Sequence, residues 1–348
     1  MRIRYISQEI QSRLLNIDDS IKTMQDMFEC IKDDKYTMSG KNKNSHGCRL
    51  HMPNSSLFIA MPGYLGGCYN VSGIKWHGPN IKGSGFAETT YMLMLNDIAT
   101  GYPLCIMSAN LLTTYRTAAT SIYAMQLLKK QEFLNVAIIG PGKINSLFLE
   151  GILRSNKEVK TIKVKGNTQK GVKNFIDYFA KKHDVKIYET KSLEECVKEC
   201  DLISINTGFE YESVADMPIL RSKWIKQNAI INAPSFFRMS DKFLINDAIK
   251  VADNFKMYQS YIDELGYPAY KSLSILGNQY ADLVHNNKIN EYEIVSISDI
   301  LKNQKREILD KNGIVLFASG GMITQDIALA YDIFTKAKKQ NLSTIIEF

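Results

Sequence analysis

The sequence of 348 residues contains no long apolar run. Its longest uninterrupted apolar segments, such as 136–139 and 314–318, are far shorter than the ~20 residues that a membrane-spanning helix needs. The first six residues, MRIRYI, lack the apolar core and small-residue cleavage site of a signal peptide. We therefore expect a cytoplasmic protein without a transmembrane helix.

Cysteine is also scarce, with six residues in the whole chain, too few for a dense disulfide framework. Only Cys196 and Cys200 lie close together in sequence, four residues apart on a predicted helix. No His and no second Cys pair stands nearby, so core packing explains this pair better than a metal or redox site. We expect reduced thiols and no metal.

The chain has no block of like charges, although its formal net charge is +7. The lysines alternate with Glu and Asp, which is typical of solvated surfaces and gives no support to a nucleic-acid or membrane partner. Hydrophobic residues make up 45% and charged residues 23%, as in ordinary globular proteins. The partner we expect is a small molecule.

The middle of the chain alternates short apolar runs with segments of helical length, which is typical of α/β folds. Because each crossover between such strands needs a helix, the pattern predicts a doubly wound parallel sheet. The first 110 or so residues instead mix an amphipathic helix near 17–32 with short strands, which indicates an α+β arrangement. The predicted strands of the middle segment are 135–140, 161–165, 185–189, 201–206, 229–232 and 249–253.

A glycine-rich turn follows the first predicted strand of the α/β segment and opens the next helix. Gly140 and Gly142 permit a tight turn with close backbone approach, and Lys143 and Ile144 begin the helix whose N–H groups face a bound phosphate. This context predicts a dinucleotide site. The third small position is Asn145, so helix and strand should stand slightly apart or its side chain should turn outward.

The second predicted strand is not followed by the carboxylate that usually binds the adenosine ribose. Asn167 or Thr168 is a candidate for the ribose, and Lys165 or Lys170 for a 2′-phosphate, so NAD and NADP both remain open. Asn206 and Thr207 end the fourth strand, at the edge where open α/β sheets bind ligands.

Three cations of the first segment, Arg49, Lys75 and Arg116, lie beside strand or turn signals. An arginine binds a carboxylate through two parallel hydrogen bonds, and a lysine serves as a point charge or proton carrier. His77 follows Lys75 by two residues, so both side chains face the same side of a strand, and His77 is either a substrate-binding or a structural histidine. From these residues alone, surface or ion-paired roles stay open.

Several short motifs, taken in order, give a specific resemblance. They are 59–62 (IAMP), 73–76 (GIKW), 95–97 (LND), 100–103 (TGYP), 116–119 (RTAA), 140–142 (GPG), 253–254 (DN), 257–258 (MY) and 320–322 (GGM) with Asp326. Over nearly the whole chain, the sequence resembles the ornithine cyclodeaminase and mu-crystallin family. Within it, the chain is similar to members with a KWHG segment, here 75–78, and a VKG end to the second strand, here 164–166. It also resembles the opine dehydrogenases of siderophore-precursor synthesis, which share the GIKW segment and the extended C-terminal strand.

The resemblance implies two domains: a discontinuous substrate-binding and dimerisation domain, 1–115 plus 316–348, and an NAD(P)-binding Rossmann domain, 116–315. It implies that Arg49, Lys75 and Arg116 hold a substrate carboxylate and that Lys75 exchanges a proton. It also implies cofactor contacts at three further residues, Thr117, Ser319 and Gly320. The chemistry of the family removes a hydride from the carbon that bears nitrogen, giving an imine.

One position departs from the cyclodeaminase pattern. The cyclodeaminase has an aspartate after the fifth strand, whereas this chain has Ser235 and Arg238 there and no acid before Asp241. Arg238 would repel the ammonium of ornithine and suit a second carboxylate. A solvent-facing Arg238, and an Asp241 that reaches the site from a shifted loop, both stay open. We therefore predict an NAD(P)-dependent dehydrogenase of an amino acid or opine-like amine, acting as a homodimer; the alternatives are a cyclodeaminase and a mu-crystallin-like ligand-binding protein.

Overall fold

The structure is a computed structural model that describes residues 2–53, 56–79, 89–208, 211 and 213–347. The chain divides into two compact units. Unit 1 comprises Met1–Thr120 and Gly321–Phe348, and unit 2 comprises Ser121–Gly320.

The described strands of unit 1 form one sheet, to which both ends of the chain contribute. Its order is β16-β1-β7-β6-β5-β4-β2, with β3 paired to β4, and all neighbours are antiparallel except β1 and β7. The elements are β1 Arg2–Ile6, α1 Gln8–Leu14, α2 Ile17–Lys32, β2 Tyr36–Met38, β3 Cys48–His51, β4 Leu57–Leu65, β5 Val71–Gly78, β6 Thr90–Asp97, β7 Pro103–Ser108, α3 Asn110–Leu128, α13 Ile323–Lys339 and β16 Thr344–Glu347.

One face of this sheet is covered by α13. Strand side chains alternate between faces, and the buried set of β5 includes Val71 and Lys75. The helix approaches so closely that a Cβ added at Gly63 would lie 2.6 Å from Cγ2 of Ile323. A glycine at this position therefore permits the contact between α13 and the centre of the sheet.

Unit 2 contains the alternating pattern that the sequence predicts. Its described strands and helices are β8 Asn135–Ile139, α4 Lys143–Ser155, β9 Thr161–Lys165, α5 Gln169–Lys182, β10 Lys186–Glu189, α6 Leu193–Val197, β11 Leu202–Ile205, β12 Ile230–Ala233, α7 Asp241–Asn246, β13 Ala248–Ala252, α8 Phe255–Leu265, α9 Ala269–Ser272, α10 Leu276–His285, β14 Ile294–Ser296, α11 Ile297–Leu301, α12 Arg306–Leu309 and β15 Ile314–Ala318.

The sheet of unit 2 is parallel throughout its described strands, in the order β10-β9-β8-β11-β12-β15-β13-β14. The order of the strands along the sheet reverses between β8 and β11, and open α/β sheets bind ligands in the crevice at such a position. The predicted α/β class with a doubly wound Rossmann sheet is thus confirmed.

The boundary predicted at residue 316 falls inside β15, a strand that pairs with β12 and β13. Among the described helices, none has the length and apolarity to span a membrane.

Candidate active site

Lys75 lies on β5, on the face of the sheet that α13 covers. Only 2% of the residue is exposed, so its ammonium needs a partner of opposite charge. That partner is Asp326 in the first turn of α13, whose Oδ2 accepts a hydrogen bond from Lys75 Nζ at 2.5 Å. Of the surface and ion-paired roles left open for Lys75, the structure shows the ion pair.

Arg116 joins the same carboxylate from α3. Its Nε donates to Oδ1 of Asp326 at 3.1 Å, and its Nη1 donates to Oε1 of Gln325 at 3.1 Å. Each oxygen of Asp326 thus serves one cation, and the three charges sum to +1. Such a cluster, buried and still positive, suits an anionic group such as a carboxylate.

The surroundings of Lys75 set its proton affinity. Burial lowers the pKa of Lys75 to about 8, and the charge of Arg116 acts in the same direction, while Asp326 opposes both. An amine with this pKa carries or releases a proton near neutral pH, as general acid–base chemistry requires.

Two histidines stand close to these cations. Burial, followed by the charges of Lys75 and Arg49, lowers the pKa of His77 to about 4. Burial and the charges of Lys75, Arg49 and Arg116 hold the pKa of His46 well below its ordinary value. The three predicted cations therefore lie near one another, and His77 lies within range of the charges of Lys75 and Arg49. Sequence reasoning missed His46 because it has no motif, and it did not assign Asp326 to the site.

The predicted cofactor residue Thr117 also belongs to unit 1. Its hydroxyl donates to the carbonyl of Thr113 at 2.8 Å, one turn earlier in α3, and the residue is 7% exposed. The two lone pairs of that hydroxyl stay available as acceptors.

In unit 2 the glycine-rich turn has the geometry expected of a phosphate-binding turn. Gly140 has φ +84°, and a Cβ added there would lie 2.1 Å from the carbonyl oxygen of Asn206 at the end of the neighbouring strand. Gly142 is the N-cap of α4, no described side chain caps that helix, and no described atom lies within 4 Å of an added Cβ. Lys143 is exposed and Ile144 is half-buried.

A buried polar chain supports this turn. Asn145 Nδ2 donates to the carbonyls of Ile139 and Gly140 at 3.0 and 2.9 Å. Its Oδ1 accepts from Ser204 Oγ at 2.7 Å, and Ser204 in turn accepts from Asn232 Nδ2 at 3.0 Å. Asn145 is 1% exposed, so its side chain does not turn outward, which was one of the two arrangements expected for it.

We predict that Asn145→Ala lowers the free energy of unfolding by roughly 2–4 kcal/mol, since it removes three buried hydrogen bonds and leaves the buried Ser204 hydroxyl without its acceptor. Urea denaturation measures the loss. The neighbouring variant Ser146→Ala removes a hydrogen bond to the carbonyl of Gly142 at the surface and should change the value by less than about 0.5 kcal/mol. Equal effects of the two substitutions would contradict the role given to the buried chain.

The other predicted residues of unit 2 lie mostly at the carboxyl edge of its sheet. Ser235 Oγ donates to the carbonyl of Thr207 at 2.7 Å, and the two hydroxyl oxygens lie 3.3 Å apart. Asn206 Nδ2 is buried and has no hydrogen-bond acceptor among the described residues. A buried amide donor at the position where the strand order reverses suits a polar ligand.

A buried carboxylate orders the segment after β15. Asp253 Oδ2 accepts from the backbone N–H of Gly320 at 3.1 Å and from Ser319 Oγ at 3.3 Å, and its Oδ1 accepts from the hydroxyl of Tyr258 at 2.9 Å. Burial raises the pKa of Tyr258 well above its ordinary value, and Asp253 adds to this, so the hydroxyl stays protonated and keeps donating.

Asn167 and Thr168 are exposed after β9, and the Thr168 hydroxyl caps α5 by accepting from Gly171 N at 3.2 Å. Lys165 Nζ donates to the carbonyl of Gly166 at 3.4 Å.

The positions that distinguish the candidate reactions follow β12. Arg238 is half-buried, and its Nη2 donates to the carbonyl of Ala215 at 2.8 Å. Asp241 begins α7, where its Oδ1 accepts from Gln279 Nε2 at 2.7 Å.

Across the described ranges, no group of three or more His, Cys, Asp or Glu side chains has a metal-binding arrangement.

Comparisons with known proteins agree with this architecture. The chain matches the ornithine cyclodeaminase/mu-crystallin family over residues 13–341. It is 26% identical over 295 residues to N-((2S)-2-amino-2-carboxyethyl)-L-glutamate dehydrogenase of Staphylococcus aureus, covering 83% of this chain and 81% of that protein. It is 25% identical over 275 residues to a Δ1-pyrroline-2-carboxylate reductase of Bacillus cereus, covering 78% of each.

Among solved structures, an archaeal alanine dehydrogenase dimer with bound NAD superposes with a TM-score of 0.79 and 21% identity, covering 100% of both chains. This likeness shows the shared fold. The match of the family over most of the chain, together with the buried cations and the Rossmann turn, leads to one conclusion: this protein belongs to the ornithine cyclodeaminase/mu-crystallin family.

Proposed function

We propose that this chain is an NAD(P)-dependent oxidoreductase that acts on the C–N bond of an α-amino acid or an opine-like secondary amine through an imine. The observation that carries the proposal is the buried cluster of Lys75, Asp326 and Arg116, which is built for an anion and contains an amine with a pKa of about 8. Relatives named as an amino-acid dehydrogenase and an imine reductase support it.

The residues of unit 2 fit a dinucleotide. The uncapped start of α4 offers backbone N–H groups to a pyrophosphate, and Gly142 leaves open space for its approach. Gly140, Lys143 and Ile144 belong to the same turn. The remaining contacts proposed in unit 2 are Asn206, Thr207, Asn167, Thr168, Ser319 and Gly320. The bound nicotinamide supplies a hydride acceptor or donor.

In the proposed reaction the cations have separate tasks. Arg116 and Arg49 bind the substrate carboxylate, because a guanidinium is charged at every working pH and matches carboxylate geometry. Lys75 exchanges a proton with the substrate nitrogen as the C–N bond changes order, which its lowered pKa permits. His77, with a pKa of about 4, is neutral and packs against Tyr91. The two rings are stacked, with their centroids 4.8 Å apart.

A cyclodeaminase reaction is disfavoured at the end of β12. That reaction needs a carboxylate to bind the side-chain amine, and residues 233–240 contain none. Ser235 is buried and bonded to Thr207, and Asp241 is bonded to Gln279. Arg238 places a positive charge there instead, which favours a substrate with a second acidic group.

Binding of NADH and NADPH, followed by nicotinamide absorbance with amino acids, cyclic imines and pairs of keto acid and amine, tests this proposal. We expect binding and net oxidation or reduction with a carboxylated substrate. Ammonia release from ornithine without net absorbance change would instead identify a cyclodeaminase. Tight ligand binding without turnover would identify a mu-crystallin-like binding protein.

We also propose a homodimer formed through the sheet of unit 1. The face opposite α13 is apolar: Pro62, Ile74, Met94, Ile106 and Tyr5 are cross-strand neighbours across it. Trp76 and Met92, paired next to this row, are 41% and 48% exposed. A second copy is the proposed occupant, in keeping with the dimeric archaeal relative.

The free cysteines fit the reducing cytoplasm, where we place the enzyme.

Trp76→Glu is expected to raise the dimer dissociation constant at least about tenfold, since it buries a charge in the apolar face. Sedimentation velocity over a concentration series measures this. Tyr178→Glu, an equally radical change at a 47% exposed residue of α5, serves as the control and should leave the dimer intact. A monomeric wild-type protein at high micromolar concentration would refute the proposal.

A further inference from the structure

Asp326 is a charged residue on the apolar face of α13. Ile323 and Ile327, which lie three residues before and one after it, are both fully buried against the sheet, and Asp326 itself is 0% exposed. A carboxylate at such a position is unfavourable unless its charge is balanced and its oxygens are bonded. Its place in the first turn adds support from the helix dipole.

The two oxygens of Asp326 divide their contacts between two elements. Oδ2 holds Lys75 of β5 at 2.5 Å, and Oδ1 holds Arg116 of α3 at 3.1 Å. The adjacent Gln325 extends this arrangement, because its Oε1 accepts from Arg116 Nη1 at 3.1 Å and from the backbone N–H of Met322 at 3.3 Å. The first turn of α13 therefore fixes both cations together.

We propose that Asp326 is a positioning residue, which holds Lys75 and Arg116 in one fixed arrangement so that a substrate carboxylate and nitrogen meet preset partners. The inference rests on the proposed function, in which Lys75 carries the proton. Asp326 acts through these two cations, since both of its oxygens are already occupied by them.

The same geometry makes Asp326 control the proton on Lys75. Besides Lys75, Asp326 and Arg116 themselves, the described groups whose charge or ring faces this cluster are Arg49, His46, His77 and Tyr91. Burial and Arg116 lower the pKa of Lys75, while Asp326 raises it. Removing the carboxylate charge therefore lowers the pKa of Lys75 below about 8, and the ammonium form is lost at a lower pH.

Asp326→Asn tests the inference through the pH profile of imine reduction, which needs Lys75 as the ammonium. We expect the alkaline limb of kcat/KM to move to lower pH by roughly 1–3 units. A merely structural loss would lower the rate at every pH without moving the limb. Asp332→Asn, which removes a carboxylate bonded to Lys336 on the same helix, is the matched control and should leave the profile unchanged. An unmoved limb in a folded Asp326→Asn enzyme overturns the inference.

Asp326→Glu keeps the charge and covers the case in which Asp326→Asn does not fold. The longer side chain cannot keep both oxygens in place, so we expect the limb to stay near its wild-type pH while kcat falls at least about tenfold. An unchanged kcat in this variant overturns the positioning role.

The titration of Lys75, followed by NMR of 13Cε-labelled lysine and assigned with Lys75→Met, separates this inference from the proposed function. A lower pKa in Asp326→Asn supports the electrostatic coupling even if no substrate is turned over, whereas an unchanged pKa overturns it. Absence of turnover by wild-type protein with every tested imine counts against the proposed function alone.

Discussion

Replacing Lys75 with Met is expected to lower kcat by roughly 10²–10⁴-fold, the usual contribution of a positioned proton carrier. Methionine matches the length of the lysine stem, so the packing of β5 against α13 is preserved, and Asp326 keeps Arg116 as its partner. Initial rates at saturating cofactor measure the loss. The affinity for NADH, measured by fluorescence, should not change.

The two histidines described near Lys75 cannot replace it. His77 has a pKa of about 4 and the pKa of His46 is also held low, so both imidazoles are neutral at pH 7. An arginine does not release its proton. Lys75→Arg therefore separates two tasks: it keeps the positive charge for the substrate carboxylate, but kcat should fall almost as far as in Lys75→Met.

Lys22→Met is the control for the loss of a lysine charge. Lys22 lies on α2, where its side chain is 74% exposed and pairs with Asp26 one turn later. Such a pair contributes little, and the variant should keep the wild-type rate and stability. Full activity in Lys75→Met would refute the assignment of Lys75 as the proton carrier and, with it, the proposed mechanism.

The parts of the fold that follow from local periodicity were predictable. The amphipathic helix predicted near 17–32 is α2, Ile17–Lys32, and the six strands predicted in the middle segment are β8 to β13. Each of these signals lies within a few consecutive residues. The class of the fold follows from their alternation, because parallel neighbours require helical crossovers.

What local periodicity could not supply was pairing between distant segments. The run that forms β15 reads as a strand, but nothing in its five residues indicates that it lies between β12 and β13. β1 and β7 form a parallel pair across about a hundred residues of sequence, and neither was predicted as a strand. Such partners are chosen by the packing of the whole sheet.

In the candidate site, too, the sequence gives a local signal but not the distant partner. Lys75 was noticeable because a lysine in a strand-like segment needs a partner, but the sequence does not identify that partner. The available signal was on α13, where Asp326 interrupts the apolar spacing of Ile323, Ile327 and Ala330. A carboxylate in such a stripe indicates a buried cation as its partner. Lys75 in its strand and Asp326 in its helix are therefore the two signals that together predict this ion pair.

The glycine-rich turn gives the second large expected effect. In Gly140→Ala the new methyl group would stand 2.1 Å from the carbonyl oxygen of Asn206, at φ +84°. The turn must move, so we expect the free energy of unfolding to fall by about 2–4 kcal/mol and NADH binding to be lost. Urea denaturation and fluorescence titration measure the two effects.

Gly142→Ala separates cofactor binding from stability. At φ −92° an alanine is unstrained, and no described atom lies within 4 Å of the added Cβ, so the free energy of unfolding should change by less than about 0.5 kcal/mol. If a pyrophosphate approaches the start of α4, the same methyl group occupies its space, and the dissociation constant of NADH should rise at least about tenfold. Wild-type affinity in a stable Gly142→Ala protein would contradict this placement of the dinucleotide, because the backbone there would not be in contact with it.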